Sequence, residues 1–241
     1  MPPIIRVENL RKTWSGNTVL DGITFDVGEG EIVAIIGPSG VGKTTLLRCI
    51  ASLERPDSGK IYFKGKNITK NGEYTKKRIG MIFQEFNLIP RLTVLMNVLT
   101  GRLGYTSKVA SLLGIFSKED IEIAVNNIRR VRLHNKINEK VSKLSGGERQ
   151  RVGIARALTQ EPDVILADEP ISNLDPKTGE KILSDLVRIS KEDDLTVIMS
   201  LHQINYAKKF ADRIIGLNKG RIVFDGYPEA LTDDVIRRIY T

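Results

Sequence analysis

Hydrophobic positions along this chain follow two patterns. Near the N-terminus they alternate with polar ones. Ile4-Ile5-Arg6-Val7-Glu8-Asn9-Leu10 and residues 18–27 read as two strands around a turn at Trp14-Ser15-Gly16-Asn17. Lys60-Ile61-Tyr62-Phe63 and Lys66-Asn67-Ile68 make a further β pair around Gly65, after a turn at Pro56-Asp57-Ser58-Gly59. Elsewhere the apolar residues come in short unbroken runs. Ile32-Val33-Ala34-Ile35-Ile36, Val164-Ile165-Leu166-Ala167 and Thr196-Val197-Ile198-Met199-Ser200 suit strands buried on both faces of a parallel sheet. Arg78-Ile79-Gly80-Met81-Ile82-Phe83-Gln84 reads as a strand ending in a glutamine. Residues 213–217 and 221–224 read as a hairpin across Asn218-Lys219-Gly220.

Helical spacing occupies much of the rest. Residues 44–53 form one such stretch, and residues 93–160 read mainly as helix. Within them, apolar positions 121, 125, 128 and 131 give a helical period over 120–133. Ser145-Gly146-Gly147 opens another helix, Pro176 begins a third, and the last dozen residues look helical. Residues 101–118 hold three glycines among apolar residues and are the least predictable part. The expectation is an α/β chain whose first third sets an antiparallel β layer against a parallel core.

Length and composition narrow the class. At 241 residues, with 41% hydrophobic and 27% charged, the chain has the makeup of an ordinary globular domain with ample core. No apolar run is long enough for a membrane span, and Met1-Pro2-Pro3-Ile4 shows no secretory signal. The single cysteine, Cys49, reads as a small buried apolar residue and allows no internal disulfide. The net charge of +8 suggests phosphate-bearing partners. Its lysines and arginines are scattered, with small clusters at Lys76-Lys77-Arg78, Arg129-Arg130 and Arg237-Arg238. No basic stripe is interleaved with aromatics, so no nucleic acid is expected.

The chemistry concentrates at Gly37-Pro38-Ser39-Gly40-Val41-Gly42-Lys43-Thr44, followed by Thr45. It matches the P-loop pattern G-x-x-x-x-G-K-[ST], and it lies between a buried strand and a helix, where that pattern acquires meaning. The glycines let the backbone approach a ligand closely, and the helix N-terminus turns N–H donors toward an anion. Lys43 is a point charge for the β- and γ-phosphates of a nucleotide, and the Thr44 hydroxyl is suited to Mg²⁺. Hydrolysis also needs a metal anchor and a group to orient water. Asp168, at the end of the run 164–167, fits the first task; Glu169, next in line, fits the second.

At this point the sequence resembles, over essentially its whole length, the ATP-binding subunits of ABC transporters. Leu144-Ser145-Gly146-Gly147-Glu148-Arg149-Gln150-Arg151-Val152 looks like the family signature. Gln84 matches the Q-loop glutamine, with a catalytic and metal-related role. Ser172-Asn173-Leu174-Asp175 matches the D-loop, and His202 the switch histidine. Trp14 stands where the family carries an adenine-stacking aromatic. Glu148 replaces a frequent glutamine and Ile171 a frequent threonine. His134 has no such context and reads as a surface residue.

The resemblance implies an ABC ATPase fold: a P-loop NTPase (RecA-like) core with an antiparallel β subdomain and an inserted α-helical subdomain. One domain would cover 1–241, with core in 1–84 and 161–241 and the helical signature part in 85–160. It implies a head-to-tail homodimer in which the P-loop of one subunit and Ser145, Gly146, Gly147 and Asp175 of the other sandwich ATP. It also implies two membrane-spanning permease subunits, a separate solute-binding protein, and a peripheral place on the cytoplasmic face of the membrane.

Residues 83–105 and Ser111-Leu112-Leu113-Gly114-Ile115-Phe116-Ser117 look like the phosphonate-import ATPase subunits, as does Leu166-Ala167-Asp168-Glu169-Pro170-Ile171. Phosphite or another phosphorus oxyanion stays open as the solute. So do another small-solute importer, a lipoprotein or peptide exporter, and a non-transport ABC ATPase acting on DNA or ribosomes.

Overall fold

The computed structural model describes residues 2–70, 75, 77–106 and 114–241. Lys76, from the first basic cluster, and Ser111, Leu112 and Leu113, from the phosphonate-type stretch, lie outside the described residues. Two sheets form. In the first, β1 (Ile5–Trp14), β2 (Asn17–Val27), β4 (Ser58–Phe63) and β5 (Lys66–Asn67) run antiparallel in the order β2-β1-β4-β5. In the second, β3 (Ile32–Ile36), β6 (Ile79–Ile82), β7 (Val164–Asp168), β8 (Thr196–Ser200), β9 (Arg213–Asn218) and β10 (Arg221–Gly226) take the order β10-β9-β3-β8-β7-β6. All neighbours in the second sheet are parallel except the edge pair β9–β10.

The unbroken apolar runs follow from burial on both faces. Val33 and Ile35 join the core shared with the antiparallel sheet and helix α1 (Lys43–Ile50). Ile32, Ala34 and Ile36 join the core formed with the helices of the opposite layer. Those helices are α2 (Val94–Leu99), α3 (Lys118–Arg130), α4 (Gly146–Thr159), α5 (Pro176–Glu192), α6 (Ile204–Phe210) and α7 (Asp233–Tyr240). Helices α2, α3 and α4 pack on one another. Their starts are fixed by side chains: Thr93 caps α2, while Ser117–Asp120 and Ser145–Glu148 form capping boxes on α3 and α4.

Several expectations shift. The strand expected over 78–84 ends at Ile82, and Gln84 lies in a turn. Ser58 and Gly59, expected in a turn, open β4, and Trp14 and Asn17 pair as strand ends around Ser15-Gly16. The helical period over 120–133 is realised in α3, with Ile128 and, at its C-terminal end, Val131 buried, but its buried face is not purely apolar. It carries Asp120, Ala124, Asn127 and Ile128, while Ile121 is 38% exposed. The cause is polar: Asp120 accepts from Arg102 Nε at 2.6 Å and Asn127 Nδ2 donates to Thr159 Oγ1 at 3.2 Å, so two buried positions are not apolar. Cys49 is buried, as expected, and burial pushes its thiol up to about 12.

Candidate active site at the carboxyl edge of the parallel sheet

Parallel register brings the chemistry-bearing residues to one edge. Ile35 and Asp168 both stand opposite Ser200, and Ile82 stands opposite Ala167. The segments leaving β3, β6, β7 and β8 therefore emerge side by side, which puts Gly37, Gln84, Glu169 and His202 on the same rim. Crevices at the carboxyl ends of parallel strands are where such sheets take ligands.

The loop from Gly37 to Gly42 turns tightly, with Val41 N donating to Pro38 O at 3.3 Å. Two of its glycines are dictated by close approach. A Cβ on Gly37 would lie 2.4 Å from Leu217 O; one on Gly42, whose φ is 110°, would lie 2.7 Å from Val19 O. Gly42 caps α1 with no side-chain hydrogen bond, and the first turn of α1 holds no acid, so its N–H donors face outward. The Lys43 side chain curls back over the loop and donates to Gly37 O at 2.8 Å and Pro38 O at 3.0 Å. Burial pulls its ammonium down from the usual lysine value, against the raising influence of Glu169 and Asp168. An ammonium poised on carbonyls above an open helix N-terminus suits a polyphosphate. Pro38, Ser39 and Gly40 complete the loop, and Thr44 and Thr45 continue α1.

Asp168 is the hub of the opposite wall. Its Oδ1 accepts from Thr44 Oγ1 at 2.9 Å and from Ser200 Oγ at 3.0 Å. Ser200, fully buried, also accepts from the Glu169 backbone N–H at 2.9 Å. Glu169 itself has a left-handed backbone, φ 44°, and its Oε1 pairs with His202 Nε2. Among the described residues no three His, Cys, Asp or Glu side chains converge to hold a metal unaided. A hydroxyl with one carboxylate nevertheless suits Mg²⁺, which takes its remaining oxygens from phosphate and water. The motif reading passed over Ser200, which stood only as a strand end. Its part depends on the Asp168–Ser200 register, which no local motif encodes.

The remaining sites stand apart. Ser145 Oγ accepts from Glu148 N at 3.3 Å and Glu148 Oε2 accepts from Ser145 N at 2.9 Å, so the capping box occupies these two N–H donors. Gly146 and Gly147 keep theirs by helix geometry. Gly147 is crowded, since a Cβ there would meet Thr178 Cγ2 at 2.6 Å. The Lys136 ammonium beside Glu148 holds that carboxyl below its usual value. Asp175 caps α5, with Oδ1 accepting from Thr178 N at 3.0 Å. Among the described residues no hydrogen bond or ion pair joins 145–147 or Asp175 to the 37–45 loop. Trp14 is 48% exposed at the β1–β2 tip, and Lys12 Nζ lies 4.6 Å from its ring centroid.

Known proteins bear directly on this arrangement. The family profile described as ABC transporter matches residues 20–172. The "Phosphonates import ATP-binding protein PhnC 2" of Halalkalibacterium halodurans is 46% identical over 98% of this chain and 99% of its own length. The "Phosphonates import ATP-binding protein PhnC" of Thiobacillus denitrificans is 45% identical over 98% of this chain and 92% of its own length. Among solved structures, a dimeric post-hydrolysis state of an ATP-binding cassette bound to ADP and Pi matches with a TM-score of 0.81 at 36% identity, covering 93% of this chain and 98% of that one. With a strand–P-loop–helix unit, an acid pair and this likeness all in one chain, the protein belongs to the ABC transporter family as an ATP-binding subunit, an ATPase coupled to transport.

Proposed function

We propose that this chain hydrolyses ATP with Mg²⁺ to drive phosphonate uptake, working as a head-to-tail homodimer under two membrane-spanning permease subunits served by a separate solute-binding protein. Its place would then be peripheral, on the cytoplasmic face of the membrane. The observation that carries the catalytic reading is the Thr44–Asp168–Ser200–Glu169–His202 chain of contacts facing the Lys43 loop.

The loop donors and Lys43 take up the β- and γ-phosphates, with the ammonium exchanging its two carbonyl partners for phosphate oxygens. Thr44 and Asp168 hold Mg²⁺, which supplies charge neutralisation on the phosphates. Glu169 orients and polarises the attacking water, and its pairing with His202 opens so that His202 Nε2 can turn to the γ-phosphate. Gln84 reaches the same rim from the end of β6. Trp14 stacks on adenine. Gly146 and Gly147 offer their N–H donors to the γ-phosphate held by the other subunit, and Asp175 lies at that interface.

The phosphonate assignment rests on the relatives' names and on the stretch 83–105, which by resemblance meets the permease. The test is growth of a strain lacking the gene on a phosphonate as sole phosphorus source, complemented with wild type or Glu169→Gln. Growth restored by wild type alone is expected. Normal growth of the deletion strain, with no second uptake route, overturns the solute assignment.

A further inference from the structure

The loop that carries Gln84 is held in an unfavourable shape from the signature helix. Phe86 and Asn87 are consecutive non-glycine residues with φ 61° and 46°. Asparagine tolerates the left-handed region; phenylalanine does so poorly. Arg156, nine residues beyond Gly147 in α4, supplies what holds them. Its Nη2 donates to Phe86 O at 3.0 Å and its Nη1 donates to Asn87 O. Arg149, two turns earlier on the same helix, lies 5.7 Å from the Phe86 ring centroid, and the Arg156 guanidinium lies 5.9 Å from that of Phe83. Gln84 is thus bracketed by two aromatic rings, each against an arginine of one helix.

Arg156 differs from the other arginines that are drawn inward. Arg102 meets Asp120 and Glu161, Arg151 meets Asp185, and Arg213 meets Asp225. Among the described residues Arg156 has hydrogen bonds to backbone carbonyls and no carboxylate, and burial pulls its guanidinium down from the usual value. A fork of two parallel N–H donors spanning adjacent carbonyls fixes backbone direction, which a single ammonium cannot do.

We infer that Arg156 is a positioning residue for Gln84: its two-pronged grip keeps Phe86-Asn87 left-handed, so that the glutamine's approach to the nucleotide follows the orientation of the signature helix. This rests on the ATPase reading above. The grip is lost without loss of the P-loop, because Lys43, Thr44 and Asp168 make none of these contacts.

The test compares the purified full chain as wild type, Arg156→Lys, Phe86→Gly and Arg156→Lys/Phe86→Gly. ATP hydrolysis, equilibrium ATP affinity and thermal melting are measured for each. Arg156→Lys is expected to lower kcat about tenfold with ATP affinity unchanged within about twofold. Phe86→Gly alone should retain most of the rate. The double variant should recover several-fold over Arg156→Lys, because glycine holds a positive φ without help. Full activity in Arg156→Lys overturns the inference, as does an equal fall in rate and affinity, or a loss that glycine does not relieve. Absence of hydrolysis in the wild-type chain would instead remove the ATPase reading on which it stands.

Discussion

Replacing Ser200 by alanine tests how the acid pair is held. The hydroxyl donates to Asp168 Oδ1 at 3.0 Å and accepts from Glu169 N at 2.9 Å, in a fully buried position. Its loss removes a charge-assisted hydrogen bond, a contribution of about 1.5–3 kcal/mol, and leaves a backbone N–H unpaired, which costs about 1–3 kcal/mol. Allowing for partial relaxation around the small void, Ser200→Ala should destabilise the chain by roughly 3 kcal/mol. For a domain of this size that is a fall of roughly 6–12 °C in Tm.

The catalytic effect is separable. Glu169 sits at φ 44°, a backbone state whose N–H is anchored by Ser200. Freed from it, the carboxylate swings away from the water it is proposed to orient, and misplacement on the ångström scale costs on the order of 100-fold in rate. Urea melts followed by circular dichroism give the stability; steady-state phosphate release gives the rate. Ser200→Thr keeps the hydroxyl and should retain more of the rate than alanine, despite crowding from its methyl. A Ser200→Ala protein within about 0.5 kcal/mol of wild type that hydrolyses ATP at the wild-type rate would refute the bridge, since an ordinary surface substitution has effects of that size.

Two other perturbations follow from close contacts and burial. Gly42→Ala places a Cβ 2.7 Å from Val19 O at φ 110°, so the loop must shift; ATP affinity measured by titration calorimetry should fall at least tenfold while circular dichroism shows the fold retained. Cys49 has its thiol pushed up to about 12 by burial, so near neutral pH it stays protonated and inert. An aromatic disulfide reagent should label it within minutes in denaturant and over hours, or not at all, in the native chain at pH 8.

How much of this was legible from the chain varies with the distance over which each feature is encoded. β3 and β8 fall on Ile32–Ile36 and Thr196–Ser200 as the apolar runs indicate, because burial on both faces leaves no other composition for them. The P-loop and the Asp168-Glu169 pair were legible because their spacing is local. The turn at Lys219-Gly220, φ 48° and 73°, was legible from its glycine. Ser200 and Arg156 were not: each acts on residues 31 or more positions away, through a strand register or a helix face that forms only on folding. The helix α3 was legible from its period, but its buried face only in part. Apolar periodicity assumes that what is buried is apolar, and here Asp120 and Asn127 are buried on hydrogen bonds to Arg102 and Thr159. At the signature, the Ser145–Glu148 capping box is written in the S-x-x-E spacing itself.

The central claim is that ATP is clamped between the P-loop of one copy and the signature helix of another, with Glu169 releasing the clamp by hydrolysis. The most direct test is sedimentation velocity of Glu169→Gln with ATP and Mg²⁺, with ADP as the control. A dimer with ATP and a monomer with ADP is the predicted result. A Glu169→Gln chain that binds ATP yet stays monomeric at high protein concentration would contradict the composite site.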